Sequence, residues 1–196
     1  MARLEPVLLA DVPAELQSLL ISAEAYMGFV ANDALTMAHA PEILAAAGPF
    51  MRSIYREGRV SFELKRFLGM VSSWAAGCSY CIAHTAHGAA KLGVAEQRIA
   101  ALPEFASSQL FTAAEKAALA VAFAAGQVPN AVTDEQFVEL RRHFNAAQIA
   151  EIVAVIALFG FLNRWNATLA TTLEARPRAL AARTLGDLGW EPGIHV

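Results

Sequence analysis

Apolar positions recur every three to four residues along almost the whole chain, and no stretch alternates apolar and polar residues as a half-buried strand does. The spacing predicts a first helix over 13–29 and a short second one capped by Asn32 or Asp33. A third runs from Pro41 to Gly58, with Pro49 inside it as a kink or a division. Ser61 offers an N-cap to "FELKRFLGMVSSWAAG". The next helix carries "SYCIAHTAHGAAKLG" and stops at Gly93, and a short "AEQRIAAL" precedes Pro103. Two capping boxes, Thr112 with Glu115 and Thr133 with Gln136, open "AAEKAALAVAFAAG" and "DEQFVELRRHF". Asn145 caps a long helix over about 146–174, and a tail containing Gly, Trp and Pro occupies 177–196. The expectation is an all-α chain, one domain over 1–196, with about eight helices and no β-sheet.

The long helix is apolar on more than one face in its first half, more than a domain of 196 residues readily covers from its own interior. A homo-oligomer is the simplest remedy. Its apolar run, 149–162, contains Glu151 and falls short of the roughly 20 residues that cross a bilayer, so no membrane partner is expected. Composition points the same way: 56% of residues are apolar, 17% are charged, and the net charge is −3. There is no basic block, which excludes a nucleic-acid surface built on clustered Lys and Arg. Pro6, Asp11 and Pro13 interrupt the N-terminal stretch where a secretory signal needs an unbroken apolar run. The expected location is therefore cytoplasmic and reducing, where two cysteines read as catalytic or metal-binding rather than as a staple.

Both cysteines fall in "GCSYCIAHT". Gly77 ends one helical pattern and the next begins near Cys78, where free backbone N–H groups favour a thiolate. Cys81 and His84 follow at one-turn intervals on the same face. Read as a nucleophile pair and a base, they allow attack on an oxidant, a sulfenic acid and an internal disulfide. Read as metal ligands, they lack a fourth partner: His87 completes the number, but four ligands within ten residues of one helix surround a tetrahedral ion poorly. Two small buried residues that happen to be cysteines is the third reading. The in-phase histidine favours the redox reading over the other two. His39 and His143 sit at helix ends and read as structural.

The stretch "ELKRFLGMVSSWAAGCSYCIAHTAHGAAKLGV" resembles the AhpD-like, carboxymuconolactone decarboxylase superfamily, in its alkylhydroperoxidase or peroxidase-related branch. The likeness extends over about 35–180, with a motif core at about 41–125. The resemblance implies an AhpD-like helical fold, trimers or hexamers, and peroxide reduction through the CxxC pair without a metal or organic cofactor. The reductant is an unidentified thiol or lipoyl-type partner, with a lipoyl protein, a thioredoxin-like protein and a small thiol all open. Carried over, Cys81 meets the peroxide and Cys78 resolves it.

The family's relay histidine lies four residues after the second cysteine, where this chain has Thr85, and its glutamate twelve residues before the first, where this chain has Arg66. His84 and Glu63 are the expected substitutes. Tyr80 stands between the cysteines, where some members have histidine, and Asn163 and Trp165 of "NRWN" belong to a stretch that packs near the motif. A lyase of the decarboxylase type and a non-catalytic redox sensor or scaffold are the competing functions on this fold.

Overall fold

The computed structural model describes residues 1–196 and contains ten α-helices, three short 3-10 turns and no strand. The helices are α1 (Ala14–Met27), α2 (Asn32–Met37), α3 (Pro41–Ile54), α4 (Phe62–Ala76) and α5 (Ser79–Lys91). They continue as α6 (Glu96–Ala100), α7 (Ala113–Gly126), α8 (Asp134–His143), α9 (Ala146–Leu169) and α10 (Ala175–Leu185). Several starts form where capping residues stand, but α2 begins at Asn32 itself, after Ala31 and without the side-chain cap expected of Asn32 or Asp33. Ser61 accepts the Leu64 N–H, and the boxes at Thr112/Glu115, Thr133/Gln136 and Asn145/Gln148 are each closed in both directions. Pro49 lies inside a continuous α3.

Helix α4 is the centre of the bundle, packed by α5, α7 and α9. Every residue from Leu64 to Ser73 is buried. Two glycines allow the close approaches. A Cβ on Gly69 would lie 2.3 Å from a Phe159 ring carbon of α9. One on Gly126 of α7 would lie 2.5 Å from the Ser72 carbonyl oxygen. Glu151, the charge in the apolar run of α9, pairs with Lys65 of α4, which is wholly buried. By length and composition α9 is the one helix able to cross a membrane, being 24 residues long. In this fold its Ile152, Val155 and Leu158 join the core, while Val153 and Phe161 face outward.

The long helix ends five residues before the expected position. Ala170 adopts a left-handed conformation at φ 50°, which costs a non-glycine residue about 1–2 kcal/mol. The turn is held by Thr171 N–H donating to the Asn166 carbonyl at 3.2 Å, and Leu173 beyond it is buried. The segment read as a tail then forms α10, with Pro177 in its first turn, where no intrahelical N–H is needed. Residues 189–196 fold back over the start of α5. Trp190 Nε1 donates to the Ser79 carbonyl at 3.2 Å, and His195, 2% exposed, sits against the Thr171 carbonyl at 2.8 Å.

Candidate active site

Gly77 closes α4 at φ 72°, a left-handed cap that glycine takes without strain, and the chain re-enters a helix within two residues. Cys78 is the N-cap of α5, and its sulfur accepts the Cys81 N–H at 3.5 Å. Both thiols are free and buried. They face different surroundings. Cys81 lines a cavity of about 490 Å³, mostly apolar, enclosed by α1, α2, α3, α4, α5 and α9. Cys78 lies outside that lining, under the 189–196 segment.

The two sulfurs titrate as a pair. The hydrogen bond from Cys81 brings the Cys78 thiol down to about 5 against the opposing effect of burial, and His195 adds to the lowering. Burial pushes the Cys81 thiol well up, and the charge on Cys78 pushes it further. Together these effects favour the thiolate on Cys78 and the proton on Cys81. Asn166 Nδ2 lies 3.5 Å from Cys81 Sγ and 3.5 Å from Asp33 Oδ2, a donor positioned to stabilise charge arriving on Cys81.

A polar network closes this end of the cavity. His84 Nε2 lies 2.6 Å from Glu174 Oε2. Tyr80 O–H donates to Glu174 Oε1 at 3.0 Å and accepts the Asp33 N–H at 3.2 Å, and the Tyr80 and His84 rings stack at 4.2 Å. Asn32 N–H donates to Glu174 Oε1 at 2.6 Å. Burial works against a charged His84, but Glu174 outweighs it and holds the imidazole above its usual range. Burial likewise pushes the Asp33 carboxyl up. His84 is therefore paired with a carboxylate that favours its protonated form, a partner the helix spacing does not show.

The other expected residues divide. Glu63 is not at the site: it pairs with Arg98, which also holds Glu115, and it has no part in the thiol network. The two residues are one turn apart on α4, but Glu63 sits in the first turn and is drawn to Arg98, while Arg66 reaches the cavity. Arg66 lines the cavity, as do Tyr80 and Thr85, and the Thr85 hydroxyl is bonded to the Cys81 and Ile82 carbonyls at 2.8 and 2.9 Å. Asn163 is buried with both amide atoms unpartnered, and Trp165 Nε1 donates to Thr36 Oγ1 at 2.9 Å; neither lines the cavity. Cys78, Cys81 and His84 do not converge as ligands of one ion, because the ring of His84 is turned to Glu174.

The model of the carboxymuconolactone decarboxylase family matches residues 41–124. The debrominase Bmp8 is 38% identical in its apo structure, over 90% of this chain and 95% of that one, with a TM-score of 0.85. The chain belongs to the carboxymuconolactone decarboxylase family. A cysteine-to-alanine variant of Bmp8 in complex with 2,3,4-tribromopyrrole is 37% identical over 92% of this chain and 96% of that one, with a TM-score of 0.87. A peroxidase-related protein with an alkylhydroperoxidase AhpD core, from Ralstonia eutropha JMP134, shares the fold at a TM-score of 0.80 and 21% identity, over 90% of this chain and 94% of that one. The uncharacterized protein YdfG of Bacillus subtilis (strain 168) is 32% identical over 91 residues, which is 46% of this chain and 60% of YdfG.

Within this family fold, the residues that complete the site come from three places distant in sequence: Asp33 on α2, Asn166 near the end of α9, and Glu174 after the Ala170 turn. His195 comes from further still. None carries a local spacing relation to the CxxC motif. The one legible signal was "NRWN", whose last residue, Asn166, is the member that reaches the sulfur.

Proposed function

We propose that this protein is a thiol-dependent reductase of small apolar organic molecules, with Cys81 as the attacking sulfur and Cys78 as the resolving one. The observation that carries this reading is that Cys81 opens into the apolar cavity and Cys78 does not. Attack begins with transfer of the Cys81 proton to the Cys78 thiolate, across the hydrogen bond that couples them. Asn166 then supports the charge on Cys81.

A halogenated aromatic ring is the substrate class best suited to a cavity of about 490 Å³ and to the likeness with Bmp8. The Cys81 thiolate attacks the halogen. The carbon–halogen bond breaks, its electron pair goes to the ring carbon, and that carbon takes a proton. His84, whose protonated form Glu174 favours, lines the cavity and is the acid of the network assigned to this step. Cys78 releases its proton, displaces halide from Cys81 and forms the disulfide; that proton restores His84, and the other thiol proton, lost to solvent when Cys78 ionised, balances the halide. The dithiol loses two electrons, the ring gains two, and one halide leaves. An external thiol returns the disulfide to the dithiol.

An organic hydroperoxide is the second class, supported by the peroxidase-related branch that the motif resembles. There the O–O bond breaks, an alcohol leaves, and Cys78 expels water from a Cys81 sulfenic acid. One experiment tests both. Reduced protein is mixed with one equivalent of a polybrominated pyrrole or of cumene hydroperoxide, and free thiols, bromide and alcohol are counted. Two thiols lost per bromide or alcohol released is the expected result. Intact thiols with both reagents would remove the reading.

A further inference from the structure

Lys65 and Arg66 are consecutive cations on α4, both buried, and the fold treats them differently. Lys65 Nζ donates to the Ile54 and Arg56 carbonyls at 2.7 Å each and pairs with Glu151. Arg66, 7% exposed, takes part in none of the ion pairs of the chain, and its Nε has no hydrogen-bond partner. Rings surround it instead. Its Cζ lies 4.2 Å from the centroid of Tyr55, 4.9 Å from Phe62 and 5.2 Å from Tyr26. The hydroxyl of Tyr55 is buried beside the guanidinium, and its own O–H donates to no acceptor. Gly88 of α5 makes the room, since a Cβ there would lie 2.5 Å from Arg66 Cζ.

A guanidinium does not shed its proton in a protein, and an unpaired buried charge is costly. Aromatic faces recover part of that cost but supply no acceptor for the N–H groups. Arg66 and Tyr55 both line the cavity that holds Cys81. Two buried donors without partners, at one end of a ligand-sized cavity, are completed by an acceptor that arrives with the ligand.

We propose that Arg66 and the Tyr55 hydroxyl form an anion-anchoring subsite, and that the molecule reduced at Cys81 is ring-sized, apolar and carries one carboxylate or ionised phenol or azole. The redox part of this statement rests on the thiol reading above, while the subsite rests on the surroundings of Arg66. The charges facing the cavity agree with it. Asp33, the one carboxylate on the lining, stands at the thiol end, and Arg52 adds a second, exposed cation. The guanidinium lies over Gly88, two helical turns beyond Cys81 on α5, a separation of about 10 Å along the axis. One hydrogen bond at the cation and one van der Waals contact at the sulfur leave the length of a substituted benzene ring with its acid group.

The test is calorimetric and needs no turnover. Full-length Cys81→Ser protein is titrated with 4-bromobenzoate and with its neutral isostere 4-bromobenzamide. The benzoate is expected to bind about tenfold more tightly or better, as a hydrogen bond to a charged group does. Arg66→Met in the same background should bring the two affinities together by weakening the benzoate more than the amide, whose neutral carbonyl accepts a weaker hydrogen bond, and residual amide binding reports an intact cavity. Should Arg66→Met not fold, Tyr55→Phe keeps the ring and should weaken benzoate alone, and Arg66→Lys should keep part of the preference. Equal binding of the two probes, a preference that survives Arg66→Met or that neither Tyr55→Phe nor Arg66→Lys alters, or binding of neither probe overturns the subsite. A benzoate preference in a protein whose thiols survive both bromopyrrole and peroxide upholds the subsite and removes the reductase reading alone.

Discussion

Glu174 Oε2 lies 2.6 Å from His84 Nε2, although the two residues are 90 positions apart. The contact joins the CxxC helix to the strap that follows α9, and it favours the protonated form of His84. Both side chains are largely buried, so the pair is screened little by solvent.

That pair makes stability depend on pH in a defined direction. The His84 pKa is raised above 6.5, so its contribution is fully present below 6.5 and is lost as pH rises through the folded value. Burial opposes ionisation of Glu174, but His84 outweighs it and the pKa falls below 4.5. Its contribution is present above 4.5 and is lost as pH falls through the folded value. The urea midpoint should therefore be highest between about pH 4.5 and 6.5 for this pair. Glu174→Gln should lower stability there by about 3 kcal/mol and flatten the profile on both sides. An unchanged profile in Glu174→Gln would show that the pair carries no linkage.

The thiolate should be visible on Cys78 rather than Cys81. Absorbance at 240 nm, followed from pH 3 to 9, should show one thiolate forming at about pH 5. Cys81→Ala removes the first cause of that lowering and should move the transition upward. Cys78→Ser should abolish it. A low transition that survives Cys78→Ser assigns the charge to Cys81 and reverses the resting state of the pair.

Asn166 touches Cys81 and should matter for its attack more than for folding. Asn166→Ala should slow disulfide formation with a saturating bromopyrrole or hydroperoxide by about 10- to 100-fold, the worth of a hydrogen bond to a charged group. The Cys78 transition at 240 nm should stay close to its wild-type position. Rate and transition moving together would mark a general disturbance of α9 instead.

The outward face of α9 should bury itself against another copy of the chain. Val153 and Phe161, 42% and 41% exposed, border a groove of about 910 Å³ with Ile156 and Gly160. Light scattering should give a mass that is a multiple of 20.9 kDa, and Phe161→Glu should reduce it. A monomer at micromolar concentration in the wild-type protein refutes this.

The sequence by itself determined the all-α class, the helix starts and the position of the thiols. Those features are local. A capping box closes within four residues, Ser61 reaches only to Leu64, and Cys78 becomes an N-cap because Gly77 stops the helix before it. The tertiary structure alone decided where α9 stops. The apolar period runs past Ala170 without glycine or proline, and the left-handed turn there follows from contacts made later in the chain, at Leu173 and Glu174. That turn, and not spacing from the CxxC motif, brings a carboxylate to His84. Partners likewise separated neighbours that look equivalent in sequence: Glu63 and Arg66 are one turn apart, yet Glu63 pairs with Arg98 while Arg66 lines the cavity. Which side of a helix meets a ligand is set by what packs around it, and for α4 that is α1, α3, α5, α7 and α9 together, none of which its own sequence can specify.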